Sequence, residues 1–400
     1  MPVEERPLLE ALGQVIAEEV RAPFSIPPLD NTAMDGYAVQ SASTTGATSE
    51  TPVGLRVVGE LAAGYVYDGV VGPGDAVRIM TGAPIPAGAD TIVPFEETDE
   101  DIGHAPRATG ALSGTVRILK AALPRANVRN AGEDIREGDI AVRRGEVVTP
   151  ARAGVLASLG RATVTVHRRP VVAILSTGDE VLQPGEPRRP GTIYDSNSYT
   201  LAGLVQQFGG VPKRMGIARD TVEDVTARLR EAIESADIVV TSAGVSRGDF
   251  DVVKEVLRRE GDIDFWLVRM RPGKPLAFGS FTASDGRHVP HLGLPGNPVS
   301  SAVTFELFGR SALQKALGLP LAPRRAIRAV TDDRIRMPDD RRFYARVRLR
   351  EEVDGWHATL TGAQGSGVLT SMLDAEGLVV VPEGSPDVLP GEQVQVLLLQ

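Results

Sequence analysis

The sequence predicts a multidomain α/β protein. A central, mostly parallel α/β domain is preceded by an N-terminal helical and linker region carrying an inserted β-rich domain, and a small C-terminal β domain follows. Three observations predict this. Four hundred residues exceed what one hydrophobic core ordinarily organises. Two short, predominantly apolar runs, VVAILS (171–176) and IVVTSA (238–243), lead into Thr177-Gly178 and Gly244, as strands buried on both faces do. Beyond Pro320 and Pro323 the pattern turns to short alternating runs over the remaining residues.

The elements follow in order. Residues 7–20 place Leu8, Leu9, Leu12, Val15, Ile16 and Val20 on one helical stripe, which predicts a helix. A proline-interrupted stretch, APFSIPPLDNTAMDGYA, comes next. From Thr51 to Arg129, short strands are expected at Val53–Leu61, Asp75–Met80, Thr91–Pro94 and Thr115–Ile118. Residues 150–159 read as a helix and 162–166 as a strand. From Val171 onward, strands alternate with helices at 198–208, 222–235, 250–260 and 299–317; further strands are expected at 211–217, 265–268 and 288–294. That alternation means βαβ units. The last domain supplies strands at 326–330, 343–349, 357–360, 378–381 and 394–399.

Composition removes several chemistries. The chain has no cysteine, hence no disulfide framework, thiolate metal site or thiol nucleophile. A net charge of −9 argues against a nucleic-acid partner. The start, MPVEERPLLE, is acidic where a secretory leader needs a basic segment, and no apolar run approaches the ~18 residues of a membrane span. A cytoplasmic location without membrane association is expected. The phosphate signatures G-x-x-x-x-G-K-[ST] and G-x-G-x-x-G are absent, and the five histidines form no H-E-x-x-H pattern. His288 and His291 lie three apart in one expected strand and should face opposite ways.

In an open α/β sheet, ligands bind at the carboxyl ends of the strands. Three loops stand there: Ser176-Thr177-Gly178-Asp179-Glu180, the 242–251 loop with Ser242, Gly244, Ser246 and Asp251, and the 293–300 loop with Pro295, Gly296, Asn297, Pro298 and Ser300. Each joins hydroxyl groups to glycine, so that backbone N–H groups can approach an anion. One such turn is commonly only a turn; three on one sheet edge point to a ligand. A fourth element, Arg269 to Pro275, sets three cations in a proline-pinned turn, with Arg271, Gly273 and Lys274 at its centre. A fixed fork and a point charge suit an oxyanion. Asp35, Asp134, Asp179, Glu180 and Asp251 sit in or near glycine-containing loops, and oxygen-only ligation suits Mg²⁺.

With these residues in view, the chain resembles the molybdopterin molybdenumtransferases of the MoeA type, which share their design with the gephyrin E domain. The resemblance runs through PPLDNTAMDGYA (27–38), VRIMTGAPIPAGADTIVPFEE (77–97) and NVRNAGEDI (127–135). It continues in STGDE (176–180), IYDSNS (193–198), the 242–251 loop, RPGKP (271–275) and GLPGNPVS (293–300), all in the family's order. It implies four domains: 1–45 with 130–168 as one elongated domain, 46–129 as the β-rich insertion, 169–318 as the molybdopterin-binding α/β domain, and 322–400 as a β-barrel-like domain.

It further implies an enzyme of molybdenum cofactor biosynthesis that takes molybdate and adenylylated molybdopterin and releases AMP with Mg²⁺. A homodimer is implied, with transient contact to the molybdopterin adenylyltransferase. Carried over by position, Arg271 and Lys274 hold molybdate, helped by Ser246 and Ser300. Asp179, Glu180 and Asp251 manage the metal and the phosphoanhydride, with Glu180 and Asp251 as the Mg²⁺ ligands. Asp35, Asp134, Thr81 and Arg129 line the cleft from the other subunit. The remaining residues named in the three loops, Ser176, Thr177 and Gly178 among them, bind substrate.

Two residues depart from the family pattern: Ala243 replaces a usual glycine, and Arg271 stands where many relatives have lysine. The alternatives are an adenylyltransferase-like enzyme, which needs little more than the α/β domain, and a non-catalytic gephyrin-like scaffold. The additional domains argue against the first, and the full set of carboxylates and cations argues against the second.

Overall fold

The computed structural model describes residues 1–100, 114–244, 252–321 and 323–399. They form two compact units, one of residues 1–17 with 164–400 and one of residues 18–163.

The first unit is built on a six-stranded sheet. Its strand order is Val211–Ala218, Val171–Thr177, Ile238–Ser242, His288–Leu294, Pro275–Thr282 and Gly261–Leu267. The first four strands are parallel, and the last two run antiparallel to their neighbours. Alternate residues of the two apolar runs feed separate cores. Ala173, Leu175 and Val239 join one cluster with the 222–235 and 252–260 helices. Val172, Ile174 and Val240 join the other with Leu201, Val205 and Phe305. Burial on both faces explains why these runs carry no polar alternation.

The C-terminal strands close into a ring. Arg342–Glu352 pairs with Gly355–Leu360, then the order runs through Ala326–Thr331, Gln393–Leu398 and Gly377–Val381 back to Arg342–Glu352. Inward residues such as Ala345, Val347, Val379 and Val396 fill it. Met270–Arg271 adds to this domain by parallel pairing with Arg342–Phe343. Met270, Val299 and Val303 share a core cluster with Tyr344 and Leu378.

The second unit holds a five-stranded sheet in the order Thr91–Pro94, Gly36–Val39, Asp75–Ile79, Val53–Leu61 and Gly114–Ile118. The DGYA stretch is therefore a strand, and its residues 36–39 are all buried. The Pro150–Ser158 helix is capped by Thr149, whose side chain accepts the Arg152 N–H.

Three expectations need correction. Residues 7–20 are not a helix: Val3–Pro7 is a strand, turns follow, and Ile16 bridges Val166. Val15 and Ile16 are buried by distant strand residues, with His167 N–H donating to Val15 O and Ala17 N–H to Thr165 O. Gly13, at φ +80°, fits the turn that a helix would not contain. The strand expected at 265–268 begins at Gly261, and Pro275–Thr282 is a strand the sequence reading did not anticipate. The 299–317 helix contains a π-helical turn at Phe305–Gly309. The start of the helix expected at 250 lies outside the described residues, and its described part is Val252–Glu260. Among the described residues, no helix is long and apolar enough to cross a membrane.

Candidate active site

Strand register builds the site. Ser176 lies opposite Ser242, and Ser242 opposite Leu294, so three parallel strands end together and release their loops at one edge. A cleft of about 670 Å³ opens there. Of the sequence-predicted residues, Ser176, Thr177, Glu180, Ser242, Gly244, Pro295, Gly296, Asn297, Pro298 and Ser300 all line it. Gly178 and Asp179 stand beside the lining. Gly178 N–H donates to Ala218 O at 3.3 Å, and Asp179 Oδ1 accepts the Asp220 N–H at 3.3 Å. Ser246 and Asp251 lie outside the described residues.

The cleft floor is polar and tightly held. Asn197 Nδ2 donates to Ser242 Oγ and to Gly296 O, both at 2.8 Å. Asp195 Oδ1 accepts the Ser198 N–H at 3.0 Å, which fixes the start of the Asn197–Gln207 helix. The other Asp195 oxygen and the Ser176 hydroxyl are buried without a hydrogen-bond partner. A buried polar atom left so costs about 1–3 kcal/mol, which a ligand offering donors offsets. Gly244 adopts φ +74°, and a Cβ there would overlap Val253. Ala243 is at φ +82°. The alanine thus occupies the left-handed region, which a glycine at this position would reach without strain.

The basic turn is arranged differently. Arg271, Gly273 and Lys274 are outside the cleft lining, which only Pro275 of this segment joins. Arg271 Nη1 donates to Asp339 Oδ2 at 3.0 Å, across to the C-terminal domain. Arg341, the Arg341 backbone N–H and Arg271 together hold the Asp339 carboxyl well below the usual carboxylate range. Gly273 has φ +98°, and a Cβ there would overlap Thr304 Oγ1. Lys274 is exposed; its carbonyl accepts the Val268 N–H at 2.8 Å, while its ammonium has no ion-pair or hydrogen-bond partner among the described residues.

The remaining predicted residues belong to the 18–163 unit, where they form two pairs. Asp35 Oδ1 accepts the Thr81 N–H at 2.6 Å and the Thr81 hydroxyl at 2.7 Å. These bonds, the backbone one first, lower the Asp35 pKa. Arg129 and Asp134 share a cavity of about 450 Å³ with Asn31, whose side-chain oxygen is buried without a partner. Arg129 faces Asn31 in a short strand pair.

Sequence reasoning assigned no role to Asp195 and Asn197, although the IYDSNS motif carried them. It missed Gly367 and Leu369, which line the cleft from the C-terminal domain. Ser366 O accepts the Val299 N–H at 3.1 Å and so joins that loop to the helix after Pro298. Nothing in the GAQGSGVL run marks this long-range contact. Among the described residues, the one cluster of three metal-type side chains, Glu352, Asp354 and His357, lies in an exposed hairpin away from the cleft lining. In the cleft, Glu180 and Asp195 offer carboxylate oxygens, and the unpartnered Asp195 oxygen leaves donor capacity that fits a hard cation.

Three parallel strands ending together, with hydroxyl- and glycine-bearing loops around a polar cleft, define an α/β domain that binds its ligand at the carboxyl edge of the sheet. Family models match the chain in three successive parts: the MoeA N-terminal region (domain I and II) over residues 1–160, a probable molybdopterin binding domain over 173–315, and the MoeA C-terminal region (domain IV) over 328–399. Molybdopterin molybdenumtransferase 2 of Mycobacterium tuberculosis is 38% identical over 396 residues, covering 98% of this chain and 93% of its own. The Bacillus subtilis molybdopterin molybdenumtransferase is 32% identical, covering 98% and 89%. The crystal structure of the molybdopterin biosynthesis MoeA protein from Pyrococcus horikoshii superposes with a TM-score of 0.82 at 32% identity, covering 100% of this chain and 95% of the other. The chain belongs to the molybdopterin molybdenumtransferase (MoeA) family.

Proposed function

We propose that this chain is a molybdopterin molybdenumtransferase of molybdenum cofactor biosynthesis, which inserts molybdenum from molybdate into adenylylated molybdopterin and releases AMP. The observation that carries the reading is the cleft itself: it gathers ten sequence-predicted residues from three loops at the carboxyl edge of the sheet. Hydroxyls of Ser176, Thr177, Ser242 and Ser300, with glycine-opened backbone N–H groups, hold the phosphate and position the phosphoanhydride for attack by water. Glu180 and Asp195, with Asp251 from the neighbouring loop, would hold Mg²⁺, which when bound neutralises charge on the phosphoanhydride. Lys274, exposed and unpaired among the described residues, attracts molybdate, and Arg271 provides a second cation once it leaves Asp339.

The family likeness supports a homodimer in which a second copy brings Asp35, Thr81, Arg129 and Asp134 to this cleft, and a transient encounter with the adenylyltransferase that makes the substrate. A cytoplasmic location, with no nucleic-acid or membrane partner, fits the acidic, cysteine-free chain. AMP release, measured by chromatography after mixing protein, adenylylated molybdopterin and Mg²⁺ with or without molybdate, tests the reaction. Release that requires molybdate supports it; no release in either arm overturns it. Light scattering that gave a single chain near 42.4 kDa at micromolar concentration would overturn the dimer.

A further inference from the structure

We infer that Asn197 is a positioning residue that makes the Ser242 hydroxyl a hydrogen-bond donor toward an oxyanion in the cleft. This rests on the reading of the cleft as the site for adenylylated molybdopterin and molybdate. Asn197 Nδ2 lies 2.8 Å from Gly296 O and 2.8 Å from Ser242 Oγ. A carbonyl oxygen only accepts, so the amide atom facing Gly296 is the nitrogen, and the orientation of the amide follows. The same nitrogen has no acceptor capacity, so Ser242 Oγ accepts from it. The hydroxyl hydrogen must then point elsewhere, and among the described residues it meets no acceptor. A serine set in this way donates, which suits a phosphate or molybdate oxygen and does not suit an amine.

One side chain thus acts on two loops. By donating to the Gly296 carbonyl as well as to Ser242 Oγ, it joins the end of the Ile238–Ser242 strand to the Pro295–Gly296 turn. Asn197 is itself held in place. It is the first residue of its helix, the Asp195 carboxylate accepts the next N–H, and Asp195 N–H donates to Leu182 O at 2.9 Å. Ser242 is buried and lines the cleft, so a donor placed there acts where solvent screening is weak.

Two oxyanions share this chemistry, the adenylate phosphate and molybdate, and calorimetric titration with AMP and with molybdate separates them. The proteins are wild type, Asn197→Ala, Ser242→Ala and the double variant. If Asn197 acts through Ser242, each single change weakens one of the two ligands ~10-fold, and the double variant is within ~3-fold of Ser242→Ala. Loss confined to AMP assigns the donor to the phosphate, and loss confined to molybdate assigns it to the metal oxyanion. A side chain that merely supported the fold would lower affinity equally in the Ser242→Ala background; losses that multiply to ~100-fold therefore overturn the inference. So does an Asn197→Ala protein within ~2-fold of wild type for both ligands. Should Asn197→Ala melt well below wild type, Asn197→Leu, similar in shape but without the amide, takes its place in the cycle. Wild-type protein that bound neither ligand would overturn this inference together with the functional reading, whereas wild-type binding with multiplying losses overturns the role of Asn197 alone.

Discussion

The strand-end cleft and the Arg269–Pro275 turn are both polar, glycine-bearing segments of the same unit, yet they are built on opposite principles. In the cleft, parallel register brings Ser176 and Ser242 side by side, and the polar groups are buried, cross-linked by Asn197 or left without partners. In the turn, the cations point away from the sheet core: Arg271 reaches Asp339, and Lys274 is exposed. The cleft is preorganised by hydrogen bonds of fixed geometry, whereas the turn supplies charge on side chains that can move. The difference teaches that orientation and attraction are separate tasks here, placed on separate elements.

The largest way to break this comparison is to deform the turn. Gly273→Ala forces a side chain into φ +98° and against Thr304 Oγ1, so a loss of ~2–4 kcal/mol is expected. Thermal melting checks it, and a variant as stable as wild type would show that the turn is not fixed by its glycine. Next in size, Lys274→Ala should raise the molybdate concentration for half-maximal turnover ~10- to 100-fold with little change in melting. AMP affinity should move less, because the phosphate has donors in the Ser176 and Ser242 loops. Asp339→Asn sharpens the comparison from the other side: it loosens the hold on Arg271 and should lower the molybdate requirement, which the same titration would reveal.

A smaller effect separates the sheet interior from both. His291 is fully buried, with Nε2 3.1 Å from Thr241 Oγ1, and burial pushes its pKa down to about 3. The unfolded chain binds a proton below its ordinary value of 6.5, so stability falls as pH drops from there toward about 3. On the order of 2 kcal/mol should be lost between roughly pH 7 and 5. Hydrogen exchange at the Thr241 and Leu292 amides should show this loss in wild type and a reduced one in His291→Gln. The smallest effect belongs to Asp35. Its lowered pKa means stability present above the unfolded value and lost as pH falls through the folded one. Because Asp35 is exposed, Asn there should cost no more than ~1 kcal/mol.

What could be read in the sequence follows the same division. The runs 171–176 and 238–243 announced two-faced burial directly, because successive positions in VVAIL and IVV are apolar with no polar alternation, and the loops after them followed from the general placement of ligands at strand ends. His288 and His291 do face opposite ways, one exposed and one buried. The features that were not legible depend on distant partners. Val15 and Ile16 look like part of a helical stripe, but residues 150 positions away bury them as an extended edge. Pro275–Thr282 begins at a proline and lacks a strong apolar run, so only its neighbours on both sides make it a strand. Gly367 and Leu369 reach the cleft through folding of the C-terminal ring, which no local pattern records. Asn197 was visible in IYDSNS, but its role depends on the spacing of Ser242 and Gly296, fixed only in three dimensions.

The central claim is that the strand-end cleft is where the phosphoanhydride is split. Single-turnover release of AMP from adenylylated molybdopterin, with molybdate and Mg²⁺ present, compares wild type with Glu180→Gln, an isosteric change in a cleft-lining carboxylate. Wild type should release AMP in a molybdate-dependent way, and the variant at a rate ~10²-fold or more lower, with unchanged melting. A variant within about threefold of wild type, where a group in the reaction should cost far more, would contradict it.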